Sequence, residues 1–394
     1  MCFKEFCVSD KTKIEWSDST WTPIRARVRK DAAEIAQAKG YTSLVQIAAK
    51  QAGRVGAQCE RCSYGCDNCY SETFQSRCLP HNGTGLPFDR RSRDLVEYFL
   101  DEEMLLQPLK WRKPRKVFVC SQTDLFGEWV PDEWIDRILA VMALCSHLTF
   151  QVPTKRANRM ERYFAPMRPN GSFAKGEIGL AYGRPARFFP RAFNRLPLNN
   201  ETLLPWPLPN VWLGVSVENQ EQADKRIPHL LRTPAEVRFL SVEPLLGPVR
   251  LKFMRNVCHR CNLPEKFTDN PRGSFKMGIP LMDSARESVW CPSCGFTYEE
   301  VSDIHWVIVG GESGPGARPC NVEHIRSIVR QCTAAEVKCF VKQVGSKAQS
   351  HSCRNEACTH PDCGMENWHL KDNKGGDPSE WPEDIRVREF PEAR

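Results

Sequence analysis

Four cysteines lie within eleven residues of this sequence, in the stretch CERCSYGCDNCYSE from Cys59 to Glu72. Thiolates at such short spacing are ligands for zinc or for the iron of iron–sulfur clusters. The stretch can be divided as Cys62-x3-Cys66-x2-Cys69, as Cys59-x6-Cys66-x2-Cys69, or as a cage of all four. Three thiolates leave one iron of a cluster open to a further ligand, whereas four thiolates complete a structural zinc site.

Two further pairs, Cys258-x2-Cys261 and Cys291-x2-Cys294, have the CxxC spacing in which two thiolates bind one tetrahedral ion. They flank a polar stretch that contains glycine and proline. Such a stretch lacks an apolar core, and a structural zinc ion would supply its folding energy. We therefore predict a four-cysteine, zinc-ribbon-like insertion over residues 250–304.

Residues 347–394 are predicted to form a Cys/His-rich C-terminal extension. Cys353, Cys358, His360 and Cys363 offer enough ligands for a second zinc ion. Their spacing matches no known ribbon, so a second zinc site stays an open alternative.

The composition indicates a globular protein: 394 residues, 41% hydrophobic and 26% charged. Most of the nineteen cysteines are clustered, which favours metal ligation over disulfides, while Cys120, Cys145, Cys332 and Cys339 lie in apolar runs and are expected to be buried. No run of about eighteen apolar residues and no secretory signal is present, so we expect a cytoplasmic location and no membrane contact. The net charge of +7 is compatible with a nucleic-acid or phosphorylated partner.

Apolar, β-branched runs alternate with amphipathic stretches along the chain. Such runs are typical of strands that are buried on both faces of a parallel sheet. The alternation predicts an α/β fold, built as a partial (β/α) barrel of parallel strands. The predicted strands lie within residues 116–124, 147–156, 211–219, 237–244, 305–314 and 338–346, and the predicted helices within 132–146, 219–232 and 321–336.

The barrel core is assigned to residues 1–249 and 305–346. Within it, residues 25–58 are predicted to form a moderately basic helical insertion. This insertion is interpreted either as a solvated addition or as a contact for nucleic acid.

Polar or charged residues follow five of the predicted strands directly. The carboxyl ends of parallel strands share one edge of the sheet, which is where ligands bind in such folds. The alternative is that these residues only cap the helices that follow. The candidate cofactor-binding residues are Ser121, Asp124, Ser216, Glu218, Glu243 and Glu312, and Lys155, Arg156 and Arg159 are a candidate phosphate site.

Several stretches of the sequence resemble one family of phage-encoded and bacterial proteins with a three-cysteine motif and uncharacterised function. That family is regarded as radical-SAM-like, and its genes often neighbour one for a three-Cys-motif partner protein. The stretches include TKIEWSDSTWTP, GCDNCYSE, LFGEWVPDEW, LGVSVENQEQADKRIPHL, RFLSVEPLLGPV and WVIVGGESGPGARP.

The resemblance implies a [4Fe-4S] cluster, S-adenosylmethionine as cofactor, an electron donor and that partner protein. The family's ligands match Cys59, Cys66 and Cys69, whereas the general radical-SAM spacing selects Cys62 with the same last two cysteines. The third ligand is therefore left open between Cys59 and Cys62. The usual aromatic residue before the last cysteine is replaced here by Asn68.

The resemblance also implies roles for the strand-end residues. Ser121 and Asp124 would contact the methionine end of the cofactor, and Ser216 and Glu218 the ribose hydroxyls. Glu243 is a candidate contact for cofactor or substrate. The segment from residue 310 to Glu312 resembles a cofactor-binding Gly-Gly-Glu motif or, alternatively, a tight turn after its strand.

The sequence thus leads to the hypothesis of a radical S-adenosylmethionine enzyme that acts on a nucleic acid or nucleotide. One alternative is a zinc-containing protein that binds nucleic acid without catalysis. Another is an iron–sulfur protein that senses redox state or supports a partner.

Overall fold

The computed structural model describes residue 12 and residues 14–77, 83–165, 207–258, 298–314, 316–351 and 364–392. The chain divides into two compact units, one formed by Met1–Leu251 with Ile304–Arg394 and the other by Lys252–Asp303. Within the described residues, no helix has the length and apolar character needed to cross a membrane.

The elements are labelled in chain order over the part of the chain that the structure describes. The strands are β1 (Ser19–Trp21), β2 (Ile24–Val28), β3 (Val55–Gly56), β4 (Val96–Leu100), β5 (Lys116–Val119), β6 (Thr149–Thr154), β7 (Val211–Ser216), β8 (Val237–Val242), β9 (Met254–Cys258), β10 (Tyr298–Ser302), β11 (Trp306–Gly310), β12 (Cys320–Asn321), β13 (Lys338–Gln343), β14 (Ala348–His351) and β15 (Met365–Asn367). The α-helices are α1 (Ala32–Ala38), α2 (Thr42–Gln51), α3 (Tyr70–Arg77), α4 (Glu102–Leu105), α5 (Asp132–Leu144), α6 (Ala157–Phe164), α7 (Gln220–Arg232) and α8 (Val322–Ala334).

The main sheet has seven strands in the order β1-β5-β6-β7-β8-β11-β13, and every neighbouring pair is parallel. It curls into a half-barrel, which confirms the predicted α/β class and the parallel strands. All six predicted strands and the three predicted helices are present. Strand β1 was not predicted, because its three residues contain no apolar run.

On one face of this sheet, the side chains are large near the amino ends of the strands and small near the carboxyl ends. Trp212, Phe239 and Trp306 pack together near the amino ends, with 5.7 Å between the ring centroids of Phe239 and Trp306. Further along the same face, Ser216 is paired in register with Ser241. Small side chains at the carboxyl edge leave space there for polar groups from elsewhere in the chain.

The predicted helical insertion folds as a small lobe. Helices α1 and α2 pack on an antiparallel sheet of order β3-β2-β4, with an apolar core that includes Val28, Leu44 and Leu95. Strand β3 ends three residues before Cys59. The cysteine-rich stretch therefore follows directly after β3 of this lobe.

The last described segment covers the outer edge of β13. The amide of Val341 donates a hydrogen bond to Val387 O at 2.8 Å, and Trp306 Nε1 donates to Glu389 O at 2.8 Å. Phe390 packs on the rings of Trp306 and Phe340. This contact satisfies backbone groups that an open sheet edge would leave unpaired.

The second unit contains the antiparallel pair β9–β10, in which Cys258 is opposite Tyr298. Cys258 is the last residue of β9. The other predicted zinc ligands lie outside the described residues, and the zinc predictions stay predictions. Those residues are Cys261, Cys291, Cys294, Cys353, Cys358, His360 and Cys363.

Candidate functional site

The stretch from Cys59 to Cys69, called the Cys loop below, lies against the residues that follow β5. Thr123 Oγ1 donates to Gln58 O at 2.8 Å, just before the loop. Tyr70 Oη donates to Ser121 O at 2.6 Å, just after it. Both ends of the loop are thereby fixed at the carboxyl edge of the sheet.

Asp124 joins the carboxyl ends of β5 and β6. Asp124 is 6% exposed, and its carboxylate accepts hydrogen bonds from Phe126 N (3.0 Å), Thr154 Oγ1 (2.7 Å), Lys155 N (3.0 Å) and Arg156 Nη1 (3.2 Å). Both oxygens are occupied by protein donors. Its predicted cofactor contact stays a prediction, and the geometry supports a bracing role.

Arg156 connects the end of β6 to the Cys loop. Its Nη2 donates to Glu60 O at 2.9 Å, and its guanidinium stacks 4.6 Å from the centroid of the Trp129 ring. Arg159, the neighbouring cation in sequence, pairs instead with Asp132. The predicted phosphate-binding cations therefore have different partners, and Arg156 is engaged by the protein itself.

Glu218 is two residues beyond the end of β7. It lies beneath the Cys loop and is fully buried. Its Oε2 accepts from Arg226 Nη1 at 2.8 Å, and its Oε1 accepts from Gly65 N at 3.2 Å. Ser63 also hydrogen-bonds to this carboxylate. Burial raises the pKa of Glu218, but Arg226 and Ser63 lower it by more, so the pKa lies below its ordinary value. A Cβ atom on Gly65 would lie 2.9 Å from Glu218 Cδ, so only glycine fits this contact.

Glu312, after β11, contacts the other side of the Cys loop. Its Oε2 accepts from Arg318 Nε (3.0 Å), Arg318 N (2.9 Å) and Asn68 Nδ2 (3.2 Å), and its Oε1 accepts from Arg318 Nη2. Arg318 Nη1 in turn donates to Tyr64 O at 2.9 Å. The glycine before Glu312 serves packing, because a Cβ on Gly311 would lie 2.5 Å from Val344 O.

The four thiols of the Cys loop have different environments. Cys66 is buried, Cys62 is exposed, and Cys59 and Cys69 are half-buried. A hydrogen bond from the Cys62 thiol lowers the pKa of Cys66, and the same bond raises the pKa of Cys62. Burial raises the pKa of Cys59 to about 12 and also raises that of Cys69. Cys66 is therefore the thiol that ionises most readily.

Lys155 lies at the end of β6, with its charge close to the thiols. Burial lowers the pKa of Lys155, but the charges of Cys66, Glu218 and Cys69 raise it above the ordinary value. A positive charge at this position offsets part of the negative charge that a set of thiolates would carry.

Three other predicted contact residues are half-buried at the same edge: Ser121, Ser216 and Glu243. Lys342 Nζ lies 3.1 Å from Glu243 Oε1. The structure thus brings residues from the ends of β5, β7, β8 and β11 to the same edge as the Cys loop.

The donor set of the Cys loop fits a soft metal or an iron–sulfur cluster, because it consists of thiols with cationic neighbours. Among the residues that the structure describes, no three His, Cys, Asp or Glu side chains already converge as metal ligands.

Sequence reasoning missed Arg226, Arg318, Asn68 and Lys342 as parts of this edge. Asn68 was noted only as a departure from the usual aromatic residue, yet its Nδ2 donates to Gly316 O at 2.8 Å. The available signal for Arg226 was its place eight residues after Glu218, in the middle of the helix that follows β7.

The fold and this edge define an α/β protein with a parallel half-barrel and a cysteine-rich loop at the carboxyl ends of its strands. Residues 53–373 match the family model described as a protein of unknown function (DUF5131), and the chain belongs to that family. The match begins just before β3 and includes the Cys loop. No curated protein and no solved structure matches the chain.

Proposed function

We propose that this chain is an iron–sulfur enzyme of the radical S-adenosylmethionine type. The position of the Cys loop carries the proposal: it is tied to residues that follow β5, β6, β7 and β11, at the edge where parallel folds bind ligands. A loop whose only task was to bind structural zinc would not need contacts with four strand ends.

Cys66 and Cys69, with either Cys59 or Cys62, would hold a [4Fe-4S] cluster. When bound, the cluster supplies the electron that cleaves S-adenosylmethionine to methionine and a 5′-deoxyadenosyl radical. The protein's own contribution is to orient the cofactor and to exclude water. Ser121, Ser216 and Glu243 are the proposed contacts.

We propose a nucleic acid or nucleotide as substrate. Residues 25–58 contain seven lysines or arginines and two acidic residues, and the lobe that they form together with β4 leads into the Cys loop. An excess of positive charge attracts phosphodiesters without specifying a base sequence. The electron donor and the three-Cys-motif partner protein remain proposals of the same kind.

The first test is the metal content of protein purified without oxygen. The proposal predicts brown protein with about four irons and four sulfides per chain. Colourless protein that holds zinc and no iron would overturn it and favour the zinc-containing nucleic-acid-binding alternative. A Cys66→Ala variant that loses iron but keeps zinc would separate the Cys loop from the predicted zinc site at Cys258, Cys261, Cys291 and Cys294.

The second test is cleavage of the cofactor. Protein reduced with dithionite and mixed with S-adenosylmethionine should release 5′-deoxyadenosine. An intact cluster that gives no product and no cofactor-dependent change in its EPR spectrum would overturn the enzyme proposal and favour a redox-sensing or partner-supporting role.

Single cysteine variants identify the ligands. We expect Cys66→Ala and Cys69→Ala each to abolish the cluster, and only one of Cys59→Ala and Cys62→Ala to do so. Cys145→Ala is the matched control, because Cys145 is buried outside the loop and should leave the iron content unchanged.

A further inference from the structure

One peptide unit of the Cys loop, between Tyr64 and Gly65, is held from both sides. Its N–H, on Gly65, donates to Glu218 Oε1 at 3.2 Å. Its C=O, on Tyr64, accepts from Arg318 Nη1 at 2.9 Å. The two partners come from different parts of the sheet edge, after β7 and after β11, and Gly65 immediately precedes Cys66.

Each partner carries a charge that is balanced by an ion pair. Glu218 is paired with Arg226, and Arg318 is paired with Glu312. A carboxylate without a counter-charge would repel a neighbouring set of thiolates, whereas a balanced pair can hydrogen-bond to the backbone without that penalty. Both pairs therefore fit beside an anionic metal site.

Both partners also contact the loop through more than one group. The Arg318 guanidinium lies 4.9 Å from the centroid of the Tyr64 ring. Ser63 hydrogen-bonds to the Glu218 carboxylate. These additional contacts restrict rotation of the peptide about the chain.

We infer that Glu218 and Arg318 are positioning residues that clamp the Tyr64–Gly65 peptide and thereby fix the orientation of the Cys66 thiol. Glu312 holds Arg318 in place for this purpose. The inference deepens the proposed function, on which it depends only for the identity of the metal. It gives Glu218 a task that differs from the predicted contact with ribose hydroxyls.

The direct test uses metal-free protein and measures the alkylation rate of Cys66 by iodoacetamide with mass spectrometry. The rate is expressed relative to Cys145, which is 1% exposed and reports global unfolding. In Glu218→Gln and in Arg318→Met, we expect the ratio of the Cys66 rate to the Cys145 rate to rise about tenfold, because each substitution removes one charged hydrogen bond to the loop. Glu161→Gln and Arg232→Met remove a matched pair outside the loop and should leave the ratio unchanged.

An unchanged ratio in both loop variants would overturn the inference. Should Glu218→Gln unfold, with both cysteines reacting quickly, Arg318→Met decides the question, because the Arg318 side chain is one-fifth exposed and its loss is better tolerated. A normal ratio in Arg318→Met would then count against the clamp.

A second readout separates positioning from cofactor binding. If Glu218 positions the loop, Glu218→Gln lowers the iron content or alters the EPR spectrum of the reduced cluster before any cofactor is added. A normal cluster that has lost only its response to S-adenosylmethionine would overturn the inference in favour of a cofactor contact. Wild-type protein without iron would contradict the proposed function, while the alkylation ratio would still decide whether the clamp exists.

Discussion

Two glutamates pair with arginines of the same helix, α7, in two different settings. Glu218 and Arg226 meet beneath the Cys loop, with side chains that are 0% and 6% exposed. Glu161 and Arg232 meet between α6 and α7, with side chains that are 25% and 22% exposed.

The two pairs differ in what else they contact. Among the residues that the structure describes, the outer pair, Glu161 and Arg232, adds His229, a neighbour on α7 itself, and so joins one helix to another. The inner pair adds Gly65, which is 153 residues away in sequence. A buried ion pair is costly unless every polar atom has a partner. Here the partners come from the candidate site, which indicates that the inner pair serves the site and the outer pair serves helix packing.

The largest effect is expected from Arg226→Met. The substitution leaves the Glu218 carboxylate buried without its counter-charge and should lower the free energy of unfolding by about 3–5 kcal/mol. Urea unfolding of metal-free protein measures this change. Arg232→Met should cost clearly less, and equal losses from the two variants would remove the contrast between the pairs.

The second-largest effect is expected from Gly65→Ala. Its Cβ would lie 2.9 Å from Glu218 Cδ, and such overpacking costs about 1–3 kcal/mol. Iron content after reconstitution should fall as well, since the clamped peptide is displaced. Gly247→Ala is the control, because a Cβ there meets nothing within 4 Å. Normal stability and iron content in Gly65→Ala would show that the loop can shift freely.

The contribution of the outer pair to the stability of the fold should depend on pH. Partial burial opposes ionisation of Glu161, but His229 and Arg232 lower its pKa to about 2. Since an unfolded glutamate has a pKa of about 4.3, the pair stabilises the fold fully above about pH 5 and loses this contribution as the pH falls toward 2.

For Glu161→Gln, we expect a loss of about 1–2 kcal/mol at pH 7, allowing for solvent screening of a partly exposed pair. The difference from wild type should shrink at pH 3. Unfolding of metal-free protein at both pH values measures it. A difference that is the same at pH 3 and pH 7 would mean that Glu161 does not titrate as described.

The smallest effect is expected from Glu221 and Lys225, which pair on the exposed surface of α7 with an N–O distance of 2.5 Å. A double-mutant cycle with alanine should give a coupling of about 0.3–0.5 kcal/mol, and salt should reduce it. A coupling above about 1 kcal/mol would show that exposure is a poor guide to the strength of these pairs.

The parallel sheet could be predicted because each long strand is a local apolar run. Strand β1 could not, because it is recognised only through its pairing with β5. The cysteines and the strand-end residues were visible for the same local reason. Arg318 was not, since its hydrogen bond to Tyr64 spans 254 residues and depends on how the sheet curls. Local sequence patterns thus indicated which residues lie at the carboxyl edge of the sheet. Only the tertiary structure shows which of them hydrogen-bond to one another.

The contacts of the Cys loop also set an order of events during synthesis. The cysteines of the loop leave the ribosome well before Arg226 and Arg318, and the edge of β13 is covered only by residues near 387. A nascent chain therefore carries its thiols without the groups that orient them. Assembly of the proposed metal centre at this edge would then follow translation and take place on a nearly complete polypeptide.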